Sequence, residues 1–185
     1  MSTVQPKSGQ FETPATVLPH ASDAVLSLHE ESSASIAAPL GRLFALLDDP
    51  TRLTAHMSTR SWRMGWGKMD TVLDALGGGA VGSHIIVRGR VFGIWLYLDE
   101  VVTRREPPFT KTWETVGEPR LLVIGPYRMG FTLTPADGHS VLRVTVDYTL
   151  PAKGLPRLLG RVFGRPYAQW CTRRIVHDAA AAIDH

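Results

Sequence analysis

The chain has 185 residues, of which 44% are hydrophobic and 20% charged, with a formal net charge of +3. That length suits one domain with its own core, the balance is ordinary for a globular protein, and so small a charge gives no argument for nucleic acid. Cys171 is the single cysteine, which excludes an internal disulfide and a cysteine-rich metal site.

Residues 1–23 are rich in Pro, Ser and Thr and read as a flexible tail. They lack the basic start and long apolar block of a secretory signal, so the cytoplasm is the default compartment. Residues 24–185 read as a single domain. "AVLSLHEESSASI" (24–36) reads as a first strand. In "AAPLGRLFALLDDP", Pro39 suits a first helical turn and Leu40, Leu43, Phe44 and Leu47 recur at helical spacing. Pro50 opens a second short helix through Met57.

The period then changes to two. Residues 61–76 predict a long strand with Trp62, Met64 and Trp66 on one face, and "GGGAVG" (77–82) a turn. "SHIIVRGRVF" (83–92) sets Ile85, Val87, Gly89 and Val91 against His84, Arg88 and Arg90. Gly93 marks a hairpin. Residues 94–108, 109–119 and 120–138 predict three more strands, the last bent at Gly125-Pro126. "HSVLRVTVDYTLP" (139–151) sets Leu142, Val144, Val146 and Tyr148 against Arg143, Thr145 and Asp147. From Gly154 the chain reads as helical, interrupted at Gly164 and Pro166. Ala168, Cys171, Ile175, Ala179 and Ile183 form one stripe beyond the break. About six sequential strands joined by short turns make an antiparallel meander, and the terminal helix is available to cover its apolar face.

The words "SIAAPLGRLFALLDDP" (35–50), "EVVTRREPPF" (100–109), "PYRMGFTLTP" (126–135) and "DYTLPAKG" (147–154), in that order of elements, resemble the SRPBCC superfamily. This is the START-like or Bet v 1-like family that includes polyketide cyclase/dehydratase-like proteins. The resemblance covers about residues 24–183. It implies an α+β helix-grip fold, in which a curved antiparallel sheet of six to seven strands wraps a long C-terminal helix, with two short helices after the first strand. It further implies a cavity between sheet and helix that binds or carries a hydrophobic molecule such as a lipid, quinone or aromatic polyketide. The alternative is a cyclase or dehydratase acting by acid/base chemistry in the same cavity.

Strand parity gives an independent reading of the interior, since alternate side chains point to opposite faces. Ionised groups are costly to bury, so the apolar face should meet the helix. The ligand-binding candidates are Ile85, Val87, Val91, Leu96, Trp113, Met129, Phe131, Val146 and Tyr148, with Cys171 and Ile175 from the helix. Leu133 and Val144 share that face. In "IWLYLDEV" both faces are greasy. Ile94, Leu96 and Leu98 are placed inward, leaving Trp95 and Tyr97 to cover the outer surface or a homodimer contact. The catalytic candidates are Tyr148, Glu114, His84 and Asp147, and only Tyr148 is expected inward.

No cofactor or metal is expected. "GGGAVG" lacks the helix a phosphate loop needs, and the seven histidines show no metal-binding spacing. Cys171 reads as a small core residue, with Arg173, Arg174 and His177 near enough in sequence to keep a reactive thiol as the alternative. The apolar run 91–98 is far below the roughly 20 residues of a membrane helix. Arg157, Arg161 and Arg165 share a helix face with apolar neighbours, which leaves two readings: a solvated face, or peripheral contact with an anionic membrane.

Overall fold

The structure, a computed structural model, describes residues 20–21, 25–50, 69–91 and 93–183. Seven strands make one sheet: β1 (Leu28–Ile36), β2 (Met69–Leu73), β3 (His84–Val91), β4 (Ile94–Glu106), β5 (Thr110–Thr115), β6 (Tyr127–Ala136) and β7 (His139–Tyr148). Helix α1 (Leu40–Asp48) follows β1, and α2 (Gly154–Ile183) closes the described chain. The strand order is β1-β7-β6-β5-β4-β3-β2, antiparallel throughout. Strands β2 to β7 form the expected meander, and β1 joins it beside β7. The second short helix expected over 50–57 and the strand residues 61–68 lie outside the described residues, apart from Pro50.

Short turns make the meander possible. Val91 pairs with Ile94 across a two-residue turn in which Gly93 takes φ +79, a conformation a side chain would strain. Period two then sorts the faces. On β7, Ser140, Leu142, Val144, Val146 and Tyr148 are buried while Arg143 is exposed. On β6 the buried set is Tyr127, Met129, Phe131 and Leu133. These residues join Leu43, Phe44 and Leu47 of α1 and Ala168, Ile175, Val176 and Ala179 of α2 in one core. Each fully buried side chain of this kind contributes about 1.5–3 kcal/mol.

Helix α2 packs over β1 and β7 and meets α1. It runs unbroken for 30 residues with Pro166 inside it, so the expected interruption at Gly164 and Pro166 does not occur. Proline removes one helical hydrogen bond, the one to Val162, an exposed residue whose carbonyl water can serve. The glycines are contact points rather than breaks. A Cβ on Gly160 would lie 2.9 Å from the Val123 carbonyl oxygen, and one on Gly164 would lie 3.0 Å from it. Burial along the helix overrides the local propensities.

Several strands are shorter than expected, β5 ending at Thr115 rather than 119. β2 ends at Leu73, because the Asp74 carboxylate accepts hydrogen bonds from the Leu76 and His84 amides and the Ser83 hydroxyl, which shapes residues 74–84 into a turn. Residues 120–126 are not in β6; only Arg120 pairs, with Tyr97. His20 and Ala21, within the segment read as a tail, lie on the sheet: His20 bridges to Val116 and Ala21 is buried.

Candidate functional site

The inward face of the sheet is mostly apolar among the described residues; Glu30 of β1, opposite Val146, turns inward to Arg165 and Gln169 of α2, and three further polar places stand out: one acidic, one basic and one neutral. On β4, Leu98 faces inward opposite Val87 of β3, so Glu100, two residues on, faces inward too, opposite Ile85. It is 5% exposed. The Tyr127 hydroxyl donates to Glu100 Oε1 at 2.5 Å. Tyr127 is itself held by Thr115, whose hydroxyl accepts from the Tyr127 amide at 3.2 Å. Trp113 on β5 donates a further hydrogen bond to the carboxylate.

Burial drives the Glu100 carboxyl up to about 7, with the hydrogen bonds from Tyr127 and Trp113 opposing the rise and nearby Asp99 adding to it. The Tyr127 phenol is pushed well above its ordinary value, first by burial and then by the Glu100 charge. Helix α2 contributes Tyr167 and Cys171, which hydrogen-bond to each other; both interact electrostatically with Tyr127, and Tyr167 also with Glu100. Burial pushes the Cys171 thiol up to about 12, which leaves almost no thiolate near neutrality and removes the reactive-thiol reading.

The basic place is structural. Lys111 on β5 is 1% exposed, and its Nζ donates to both the carbonyl and the carboxylate of Asp48, at 2.8 Å each. Arg105 adds a bidentate contact to the same carboxylate, and its guanidinium lies over Phe44. Asp48 is the last residue of α1, so two cations sit at the negative end of its dipole. This triad anchors α1 to the sheet. The third place is neutral: Thr172 of α2 and Ser32 of β1 hydrogen-bond at 2.9 Å.

The predicted lining residues fall as follows. Ile85, Val87, Trp113, Met129, Phe131, Val146, Tyr148 and Ile175 are buried in the core. Leu96 and Cys171 are half-buried. The Val91 side chain, and Trp62, Met64 and Trp66, lie outside the described part. Leu98 is inward as expected, but Ile94 is 45% exposed. It sits at the tip of the β3–β4 hairpin, next to exposed Gly93 and Trp95. Trp95 and Tyr97 point outward, and Arg90 stacks over Trp95 at 4.7 Å.

Of the catalytic candidates, only Tyr148 faces inward, beneath Gly164. Its phenol is raised by burial and by Glu30, placing it toward the β1 edge rather than with Glu100. His84 pairs with Asp99 at 2.8 Å and Asp147 with His29 at 2.7 Å, both on the outer face. Glu114 also points outward, yet it is buried rather than solvated: Arg128 donates to it at 3.2 Å and His20 lies 3.4 Å away. None of these three reaches the interior. The residues that do, Glu100 and Tyr127, were not among the candidates, although the parity of Leu98 and of Met129 pointed to both.

Among the described residues no group of three or more His, Cys, Asp or Glu side chains could hold a metal ion. No helix among them is long and apolar enough to cross a membrane.

No protein-family model matches the chain. No curated protein matches it in sequence either. Solved structures do. The Zhui aromatase/cyclase from Streptomyces sp. R1128 superposes with a TM-score of 0.63 at 13% identity, over 85% of this chain and 93% of that one. Protein Ms6760 from Mycobacterium smegmatis gives 0.56 at 15% identity, over 92% and 98%. Ara h 8.0201 gives 0.54 at 17% identity, over 83% and 98%. At such identities the likeness shows the fold alone, and that fold is the helix-grip: an antiparallel sheet packed on a long C-terminal helix.

Proposed function

We propose that this chain binds a hydrophobic small molecule between the inward face of the sheet and α2, with Glu100 and Tyr127 meeting an oxygen of that ligand. The observation that carries the reading is Glu100 itself. Burying a carboxyl costs several kcal/mol unless it is compensated. Asp48 and Glu114 are compensated by cations. Glu100 meets only neutral donors among the described residues, and it anchors no helix end. A buried, cation-free carboxyl in an otherwise oily interior is the pattern of a ligand site. The likeness to an aromatase/cyclase supports it at the level of fold.

A second reading is favoured by one specific observation. With its carboxyl near 7, Glu100 takes up or releases a proton close to neutral pH, while Tyr127 stays a donor. Such a pair could protonate a carbonyl oxygen or accept a proton from the carbon beside it, as an acid/base cyclase or dehydratase requires.

Native mass spectrometry with neutral lipids, quinones and aromatic polyketides tests both. Binding predicts uptake of at least one class, weakened about tenfold or more by Y127F, which removes a charge-assisted hydrogen bond. No uptake of any class sinks the proposal. Conversion of a bound polyketide that E100Q abolishes while uptake persists would establish the second reading, and unchanged turnover in E100Q would end it.

A further inference from the structure

The outer face of α2 carries features that the interior site does not use. Helical spacing places Leu155, Leu158, Val162, Pro166 and Trp170 along one line, with Phe163 beside it. Leu155, Leu158, Val162 and Phe163 are 53% to 62% exposed, and Trp170 is 41% exposed. Scattered exposed apolar side chains need no explanation, but a contiguous line of them does.

Charge accompanies that line. Arg157, Arg161 and Arg165, four residues apart, run along one flank, and Arg173 and Arg174 continue past Trp170. The helix holds five arginines against one carboxylate, Asp178. Asp178 pairs with Arg174 at 2.9 Å, and Glu30 of β1 pairs with Arg165 at 2.7 Å. Arg161 and Arg173 meet no carboxylate among the described residues. A groove of about 410 Å³ opens at the end of the line, lined by Pro166, Gln169, Trp170, Arg173, Arg174 and His177. On its other side the helix packs closely on Val123 and Leu150 through Gly160 and Gly164 and buries Ala168 in the core, so the line faces outward.

We propose that α2 docks this face on an anionic membrane surface, with Leu155, Leu158, Val162 and Phe163 entering the headgroup boundary and the flanking arginines meeting lipid phosphates. An exposed apolar line with cationic flanks and a tryptophan at its end is the composition of a helix lying in the membrane interface. Charge complementarity selects this occupant over a second copy of the chain. An antiparallel two-fold contact through the same line would set the two arginine rows against each other, and either pairing would bring two unneutralised cationic faces together, which opposes association.

The test is co-sedimentation of the full chain with vesicles of phosphatidylcholine, alone or mixed with phosphatidylglycerol. Binding is expected on the mixed vesicles only, and raised salt should reverse it. Each arginine near such a surface is worth about fivefold in affinity, so R161Q/R173Q should weaken binding about 30-fold. L158S/F163S, which leaves the charge intact, should weaken it about tenfold or more. Circular dichroism should show both variants folded as the parent. Equal sedimentation with neutral vesicles, or none with either, overturns the proposal. So does a concentration-dependent dimer that L158S/F163S dissolves, which would make the face a contact between copies.

Discussion

Replacing Glu100 with glutamine isolates the free energy held in one carboxyl. Because the folded protein raises that group from 4.5 to about 7, it binds the proton more tightly than the unfolded chain does. The associated stability is therefore fully present below about pH 4.5 and is lost as pH rises through about 7. The rise corresponds to about 3 kcal/mol. Glutamine keeps the shape and still offers an oxygen to Tyr127 and Trp113, but it does not ionise. Urea unfolding of both chains should thus give nearly equal stability at about pH 4 and an advantage of about 3 kcal/mol for E100Q at about pH 8. Asp48, Asp74 and Glu106, held below their ordinary values, and His29, raised above its own, also titrate, but they are common to both chains and cancel. Parallel pH profiles for the two chains would show that Glu100 is not desolvated and would remove the premise of the interior site. A variant stabler than its parent yet poorer in binding is what a functional residue predicts.

Two other substitutions probe how the helices are seated. On an exposed helix, glycine to alanine gains up to about 1 kcal/mol. G160A should instead lose about 1–3 kcal/mol and lower the thermal midpoint, because the Val123 carbonyl lies where the new methyl must go, and a raised midpoint would refute that contact. D48N leaves the Lys111 ammonium buried without its counter-charge and should cost about 3–5 kcal/mol by urea unfolding. K111M leaves Asp48 paired with Arg105 and should cost less; the reverse order would show that α1 is not anchored as described.

Much of this was legible because period two is a hard geometric rule. Met129, Phe131 and Leu133 on β6 and Leu142 to Tyr148 on β7 face the core as the pattern requires. The interior polar pair was lost when a second rule, that charges face water, was allowed to override the first. Leu98 was placed inward, and counting two residues on reaches Glu100. The rule about charge is an average over free energies, and a site is where a protein departs from it. Lys111, two residues before inward Trp113, was lost in the same way, whereas Arg105 was hidden for another reason. A bulge between Val102 and Arg104 shifts the alternation by one residue, so Arg105 rather than Arg104 turns inward, opposite Lys111. The unbroken α2 escaped because its proline is tolerated on a solvent-facing turn and its glycines answer to a neighbouring loop that is distant in sequence.

The place of β1 has a consequence for how the chain comes to be folded. Leu28 pairs with Tyr148 and Ile36 with Ser140, so the strand made first during synthesis waits for the one made last. Until then Val144 and Val146 do not exist to meet it, and α2, which packs over β1 and β7, emerges later still. Contacts this distant in sequence slow two-state folding, and they leave a growing chain with an unpaired edge and a greasy sheet. Nascent chains ending before Tyr148 should accordingly be the aggregation-prone species, and synthesis past Ile183 should release them.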